Sequence, residues 1–98
     1  MKVVIGSDHA GYTYKQQIKD FLKSKCVDII DVGTNSIESV DYPIFAQEAA
    51  KKIAEGKAEF GILICSSGEG VSIAANKVKG IRAGIGYNDD VARLLRQH

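Results

Sequence analysis

Four short apolar runs alternate with four stretches of helical periodicity, and this alternation narrows the possible folds more than any other feature of the chain. Lys2 to Gly6, Val27 to Val32, Phe60 to Ile64 and Ile81 to Gly86 suit buried strands. Between and after them, apolar residues recur at steps of three and four. Tyr14, Ile18, Phe21 and Leu22 form one face, with Lys15, Gln16, Lys19, Asp20 and Lys23 off it. Phe45, Ala46, Ala49, Ala50 and Ile53 form a second face, and Val71, Ala74, Ala75 and Val78 a third. Val91, Leu94, Leu95 and His98 form the fourth. An alternating β-α order of this kind predicts an α/β fold, a three-layer αβα sandwich. Its Rossmann-like parallel sheet has strand order 2-1-3-4 and helices on both faces.

The punctuation agrees. Asp41-Tyr42-Pro43 puts an acidic residue in a cap region and proline at a first helical turn. Gly56 and Gly80 stand where the second and third helices should stop. Asn88 can cap the last helix, with Asp89 and Asp90 in its first turn. The chain stops inside that helix, so its 98 residues read as a single domain, 1–98, incomplete at the C-terminus and lacking a fifth strand. A net charge of +1 makes no electrostatic case for nucleic acid or an acidic membrane. No apolar run approaches the ~20 residues of a membrane span, and the N-terminus turns polar too soon for a signal peptide. Two cysteines are too few for a disulfide scaffold, which points to a cytoplasmic protein with reduced thiols.

Polar clusters follow three of the strands: Ser7-Asp8-His9, Cys65-Ser66-Ser67 and Tyr87-Asn88. In a parallel sheet all three fall at the carboxyl edge, where α/β proteins bind ligands. The stretch from Phe60 to Val78 is the most informative. It reads strand, loop with glycines at 68 and 70, then helix. Such a turn aims backbone N–H groups outward at a helix N-terminus, which suits a phosphate or an oxyanion formed during reaction. The same environment favours a thiolate. If strands one and three are neighbours, Asp8, His9 and Cys65 share one site. Plainer readings stand beside these. Cys65 ends an apolar strand, where small core thiols are common. Asp8 can serve only as a helix cap. His9 and Glu69 can be solvated loop residues, and His98 a terminal one. Cys26 lacks any such neighbourhood and reads as structural. The loop has neither the lysine of a P-loop nor G-x-G-x-x-G spacing. Asp8, His9, Cys65 and His98 lack metal-ligand spacing, so no metal or cofactor is expected. These residues reach an anion site with a candidate thiol base or nucleophile, and they do not name a reaction.

Taken together the motifs resemble the ribose-5-phosphate isomerase B family, which also holds the galactose-6-phosphate isomerase subunits. The matching pieces are Gly6-Ser7-Asp8-His9-Ala10-Gly11, Asp31-Val32-Gly33-Thr34, Asp41-Tyr42-Pro43, Ile64-Cys65-x-Ser67-Gly68-x-Gly70, Ile73-Ala74-Ala75-Asn76-Lys77, Gly80-Ile81-Arg82-Ala83 and Arg96-Gln97-His98. They run in family order along the whole chain. The resemblance implies interconversion of ribose 5-phosphate and ribulose 5-phosphate, a small-molecule sugar phosphate being the only partner besides further copies of the chain. It implies that Cys65 takes the C2 proton, that Ser67 assists, and that the amides of Ser66, Ser67, Gly68, Glu69 and Gly70 hold the enediolate oxygen. Asp8 and His9 contact the sugar, His98 helps open its ring, and Tyr42 lines the pocket from a partner subunit in a homodimer or tetramer. The chain departs from the family at Ser66, where glycine is usual. It also ends at His98, before the family's last strand, last helix and phosphate-gripping arginines. The resemblance therefore implies that these 98 residues alone isomerise feebly or not at all. Two alternatives stand: a galactose-6-phosphate isomerase subunit, and a non-catalytic phosphate- or nucleotide-binding module of flavodoxin-like shape.

Overall fold

A computed structural model of the chain describes residues 1–34 and 42–97, without the side chains of Tyr42 and Pro43. The elements run β1 (Lys2–Ser7), α1 (Tyr12–Ser24), β2 (Asp28–Asp31), α2 (Tyr42–Ala54), β3 (Phe60–Ile64), α3 (Glu69–Asn76) and α4 (Asp89–Gln97). The three strands form a parallel sheet in the order β2-β1-β3. Val3 pairs with Phe60 and Ser7 with Ile64 on one side of β1, and Lys2 pairs with Asp28 on the other. The central strand is the most buried element, Val4 and Ile5 being wholly inaccessible. That is why its sequence is an unbroken apolar run rather than an alternating one. Helices α1 and α2 each pack on β1 and β3 without touching one another, so they cover opposite faces. Helix α3 lies beside α2.

The α2 stripe is as the sequence predicts: Phe45, Ala46, Ala49 and Ala50 are buried, with Ile53 behind them. The helix ends in a Schellman motif at Gly56, where φ is +77°. The Lys57 N–H reaches back to the Lys52 carbonyl and the Gly56 N–H to that of Ile53. The same motif ends α1, but there the left-handed residue is Cys26, with φ of +60°. Cys26 is exposed, so it is a turn residue rather than a core one. At α4, the Asn88 side-chain oxygen accepts the Val91 N–H at 2.9 Å, the cap that the sequence predicts.

Three expectations are corrected. First, the inward face of α1 is rotated. Tyr14 and Phe21 are 65% and 59% exposed, and Lys15 is fully buried. Helical periodicity treats lysine as a solvent-facing residue, yet here its ammonium meets the Asp31 carboxylate at 2.9 Å and the Thr34 carbonyl. Second, no fourth strand forms among the described residues, and the sheet order is 2-1-3. In the middle of the run from Ile81 to Gly86, Ala83 gives both its N–H and its carbonyl to the side chain of Asn76 instead of to β3. A cleft of about 1060 Å³ is lined by both segments. Third, α4 buries no residue, and Leu94 and Leu95 stay 52% and 41% exposed. Its tie to the sheet is Arg96, whose guanidinium lies 4.5 Å over the ring of Phe60. Asp41, the loop from residue 35 onward and His98 lie outside the described residues.

Candidate active site

The three parallel strands finish at one edge, with Ser7, Asp31 and Ile64 as their last residues. Chain reversal on either side of β1 opens a crevice there, the usual ligand position in such sheets. The Asp8 N–H donates to the Ile64 carbonyl at 3.2 Å and carries the β1–β3 ladder one step past the strands. The structure thus brings Asp8 beside the start of the Cys65 loop, as the neighbour relation of strands one and three requires. One Asp8 oxygen accepts the Gly11 N–H at 2.9 Å, so the carboxylate also closes the turn into α1. His9 is exposed beside it.

Gly11 is packed onto the other wall. A Cβ there would stand 2.7 Å from Ile64 Cγ2 and 2.8 Å from the Ile64 carbonyl oxygen. The start of α1 therefore rests directly on the last residue before Cys65. Gly11→Ala is expected to push these elements apart and to lower stability by ~1–3 kcal/mol, the usual cost of overpacking. Urea unfolding of the variant measures it.

Cys65 is half-buried, and both readings of it hold in part. Its side packs against the cluster of Phe45, Ala46, Val71 and Ala74. Its sulfur accepts the Gly68 N–H at 3.1 Å. Gly68 adopts φ of +81°, which an L side chain resists, and it is the N-cap of α3. The Glu69 N–H turns to Ser67 Oγ at 3.3 Å. Two of the five amides expected to hold an oxyanion are thus engaged within the loop. Ser66 and Ser67 are exposed, and Gly70 is half-buried. Glu69 is exposed and opens α3, where the helix dipole favours a carboxylate. Tyr42 begins α2, but its side chain, like His98, lies outside the described residues. Among the described residues no three His, Cys, Asp or Glu side chains are grouped closely enough to hold a metal ion.

Sequence reasoning missed a charged cluster under the same edge. Asp31 receives Lys15 Nζ at 2.9 Å, Lys19 Nζ at 2.8 Å and the Gly33 N–H at 2.8 Å. The available signal was two lysines four apart on one helix and an acidic residue closing a buried strand. Burial alone would raise the Asp31 pKa; the bonds from Lys19, Lys15 and Gly33 outweigh it and hold the carboxyl below its usual range. With the folded value depressed, the stabilisation is complete above the unfolded value of about 3.9 and is lost as pH falls through the folded one. Thermal unfolding followed below about pH 4 should therefore show a steeper acid loss in the native protein than in Asp31→Asn. The cluster also braces the site. Lys15 holds the Thr34 carbonyl, and Ser7 exchanges backbone bonds with Gly33 and Thr34, both at 2.7 Å.

Comparison with known proteins fits this geometry. Residues 3–98 match the family model described as Ribose/Galactose Isomerase. The ribose-5-phosphate isomerase B of Escherichia coli K12 is 45% identical over 97 residues, covering 99% of this chain and 65% of that protein. The galactose-6-phosphate isomerase subunit LacB of Clostridium acetobutylicum is 42% identical over 98 residues, covering all of this chain and 57% of that one. The solved structure of Clostridium thermocellum ribose-5-phosphate isomerase B superposes with a TM-score of 0.98 at 51% identity, over 100% of this chain and 66% of that one. The Mycoplasma genitalium enzyme, solved with bound ribulose-5-phosphate, gives 0.93 at 42% identity, over 99% and 65%. The chain thus spans between 57% and 66% of the length of these relatives. With a family-model match over residues 3–98 and a superposition along the whole chain on a solved member, the chain belongs to the ribose/galactose isomerase family.

Proposed function

We propose that this chain is the core of an aldose–ketose isomerase that interconverts ribose 5-phosphate and ribulose 5-phosphate, with Cys65 as the base. The observation that carries this reading is the Cys65 sulfur at the end of β3, held by the Gly68 N–H at 3.1 Å where α3 begins. In the open-chain aldose, the Cys65 thiolate removes the proton from C2. The C2–H electron pair forms the C1=C2 bond, and the carbonyl electrons move to O1, giving an enediolate. The thiol then returns the proton to C1 while the O2 proton passes toward O1, a transfer served by Ser67 Oγ. No electron leaves the substrate, so the step needs no redox cofactor.

The oxyanion is the expensive species. Preorganised N–H donors at such a position are worth on the order of 10²–10³ in rate, and a positioned base on the order of 10²–10⁴. The amides of Ser66, Ser67 and Gly70 supply the donors, those of Gly68 and Glu69 being held by the Cys65 sulfur and Ser67 Oγ. Asp8 and His9, at the end of β1, contact the sugar hydroxyls. Arg96 stacks on Phe60 at the far end of β3 from Cys65. His98 is given the role of opening the sugar ring, and Tyr42 lines the pocket from a partner subunit within a homodimer or tetramer. Two free thiols suit a cytoplasmic location.

The 42% identity to a galactose-6-phosphate isomerase subunit favours a second reading, in which the substrate is that hexose phosphate. The test is turnover of both sugars by the full-length protein, with proton exchange at C2 followed by NMR in D₂O. Ribulose 5-phosphate formation with C2 exchange is expected. Exchange on the hexose phosphate alone selects the second reading. Binding with no turnover of either sugar overturns both.

A further inference from the structure

Asn76, the last residue of α3, is not needed by the chemistry above, yet its side chain makes an unusual set of bonds. Nδ2 donates to the Ser72 carbonyl at 3.0 Å and to the Ala83 carbonyl at 2.9 Å, and Oδ1 accepts the Ala83 N–H at 2.8 Å. The amide thus stands in for a neighbouring strand and grips one residue of the returning chain by both its peptide groups. That chain then runs back along α3 to the glycine loop. There Ile85 Cγ2 lies 3.3 Å, and Cγ1 3.9 Å, from the place where a Cβ on Gly68 would be. Gly68 is the residue whose N–H reaches the Cys65 sulfur.

We propose that Asn76 is a positioning residue for Cys65: by clasping Ala83 it keeps Ile85 against Gly68, and so keeps the Gly68 N–H aimed at the sulfur. Helix α3 separates Asn76 from the loop by its full eight residues, ~12 Å of helix. Its effect must therefore pass through the segment from Ala83 to Ile85. Gly68 is open to such control because its left-handed backbone has no side chain of its own to lock it, and Ile85 supplies the missing wall. This inference deepens the reading of Cys65 as the base and rests on it.

The test uses the full-length protein and three variants: Asn76→Leu, which removes the clasp; Asn76→Asp, which keeps only the acceptor for the Ala83 N–H; and Ile85→Ala, which keeps the clasp and removes the wall. The deciding readout is the rate of iodoacetamide labelling at Cys65 divided by that at exposed Cys26 in the same molecule. Loss of the oriented donor should lower this ratio about threefold or more in Asn76→Leu and Ile85→Ala, and less in Asn76→Asp. The kcat for ribose 5-phosphate should fall roughly ten- to a hundredfold with KM little changed, since the fault lies in alignment rather than in sugar binding. The double variant Asn76→Leu/Ile85→Ala should be no worse than the poorer single one, because both act through Gly68. A folded Asn76→Leu protein with the native labelling ratio overturns the proposal whatever its kcat. If Asn76→Leu does not fold, the same criterion applies to Ile85→Ala. A lowered ratio with native turnover upholds the control of the thiol by Asn76 and overturns instead the role of Cys65 as base.

Discussion

Replacing Cys65 by alanine in the full-length protein should lower turnover of ribose 5-phosphate by on the order of 10²–10⁴-fold, with substrate affinity largely kept. A base acts only on the step it performs, so the loss belongs in kcat. Alanine fills most of the half-buried side of the site against Phe45 and Val71, which limits the structural damage. Glu69 is the rival proton acceptor in the same loop. Because it is exposed at the start of α3, Glu69→Gln should alter turnover by no more than a few-fold, its backbone amide being unaffected. Kinetics of the two variants side by side decide between them. Loss of activity in Glu69→Gln with activity kept in Cys65→Ala would reassign the base. Substrate should also slow iodoacetate labelling of Cys65 while leaving Cys26, in the turn after α1, untouched.

The largest stability effect should come from Asp31. Asp31→Asn is expected to cost ~3–5 kcal/mol, as for other broken buried ion pairs. It removes the negative charge facing two lysines, one of which, Lys15, has no access to water. Lys15→Met should cost less, because Lys19 still neutralises Asp31 at 2.8 Å and the methionine stem can fill the buried channel. The order of the two losses is the informative result. It follows from which partner is left stranded, not from the number of bonds deleted. Denaturant titration of both variants at neutral pH measures it. A larger loss in Lys15→Met would mean that the Thr34 carbonyl, not the carboxylate, is the main anchor of that ammonium.

The sheet and the site were legible to different depths. Strands one and three, the α2 stripe and the Asn88 cap could all be read because each depends on local pattern or on one capping side chain. The place of Cys65 at the end of β3 followed from the same pattern. The inward turn of Lys15 could not be read that way. Its burial is decided by Asp31, sixteen positions away on another element, and hydropathy counts carry no such partner. The missing fourth strand has a similar cause. Ile81 to Gly86 has the composition of a strand, but a strand is defined by what it pairs with, and the peptide groups of Ala83 bond to the Asn76 side chain. The engagement of the Gly68 and Glu69 amides inside their own loop was equally hidden, since glycine spacing says where a loop bends and not where each N–H points.

The pairing of β1 with β3 has a consequence for the order of events during synthesis. Val3 waits for Phe60, about 57 residues later in the chain. At ribosomal rates of ~5–20 residues per second, that is a delay of roughly three to eleven seconds. Through that interval β1 can have only β2 beside it, and the backbone of its other flank, Val3 to Ser7, is without its β3 partner. The resting place of Gly11 on Ile64 does not yet exist either. The crevice between β1 and β3 therefore cannot form before Phe60 to Ile64 have been made, and a chain halted short of them lacks the wall on which Gly11 rests.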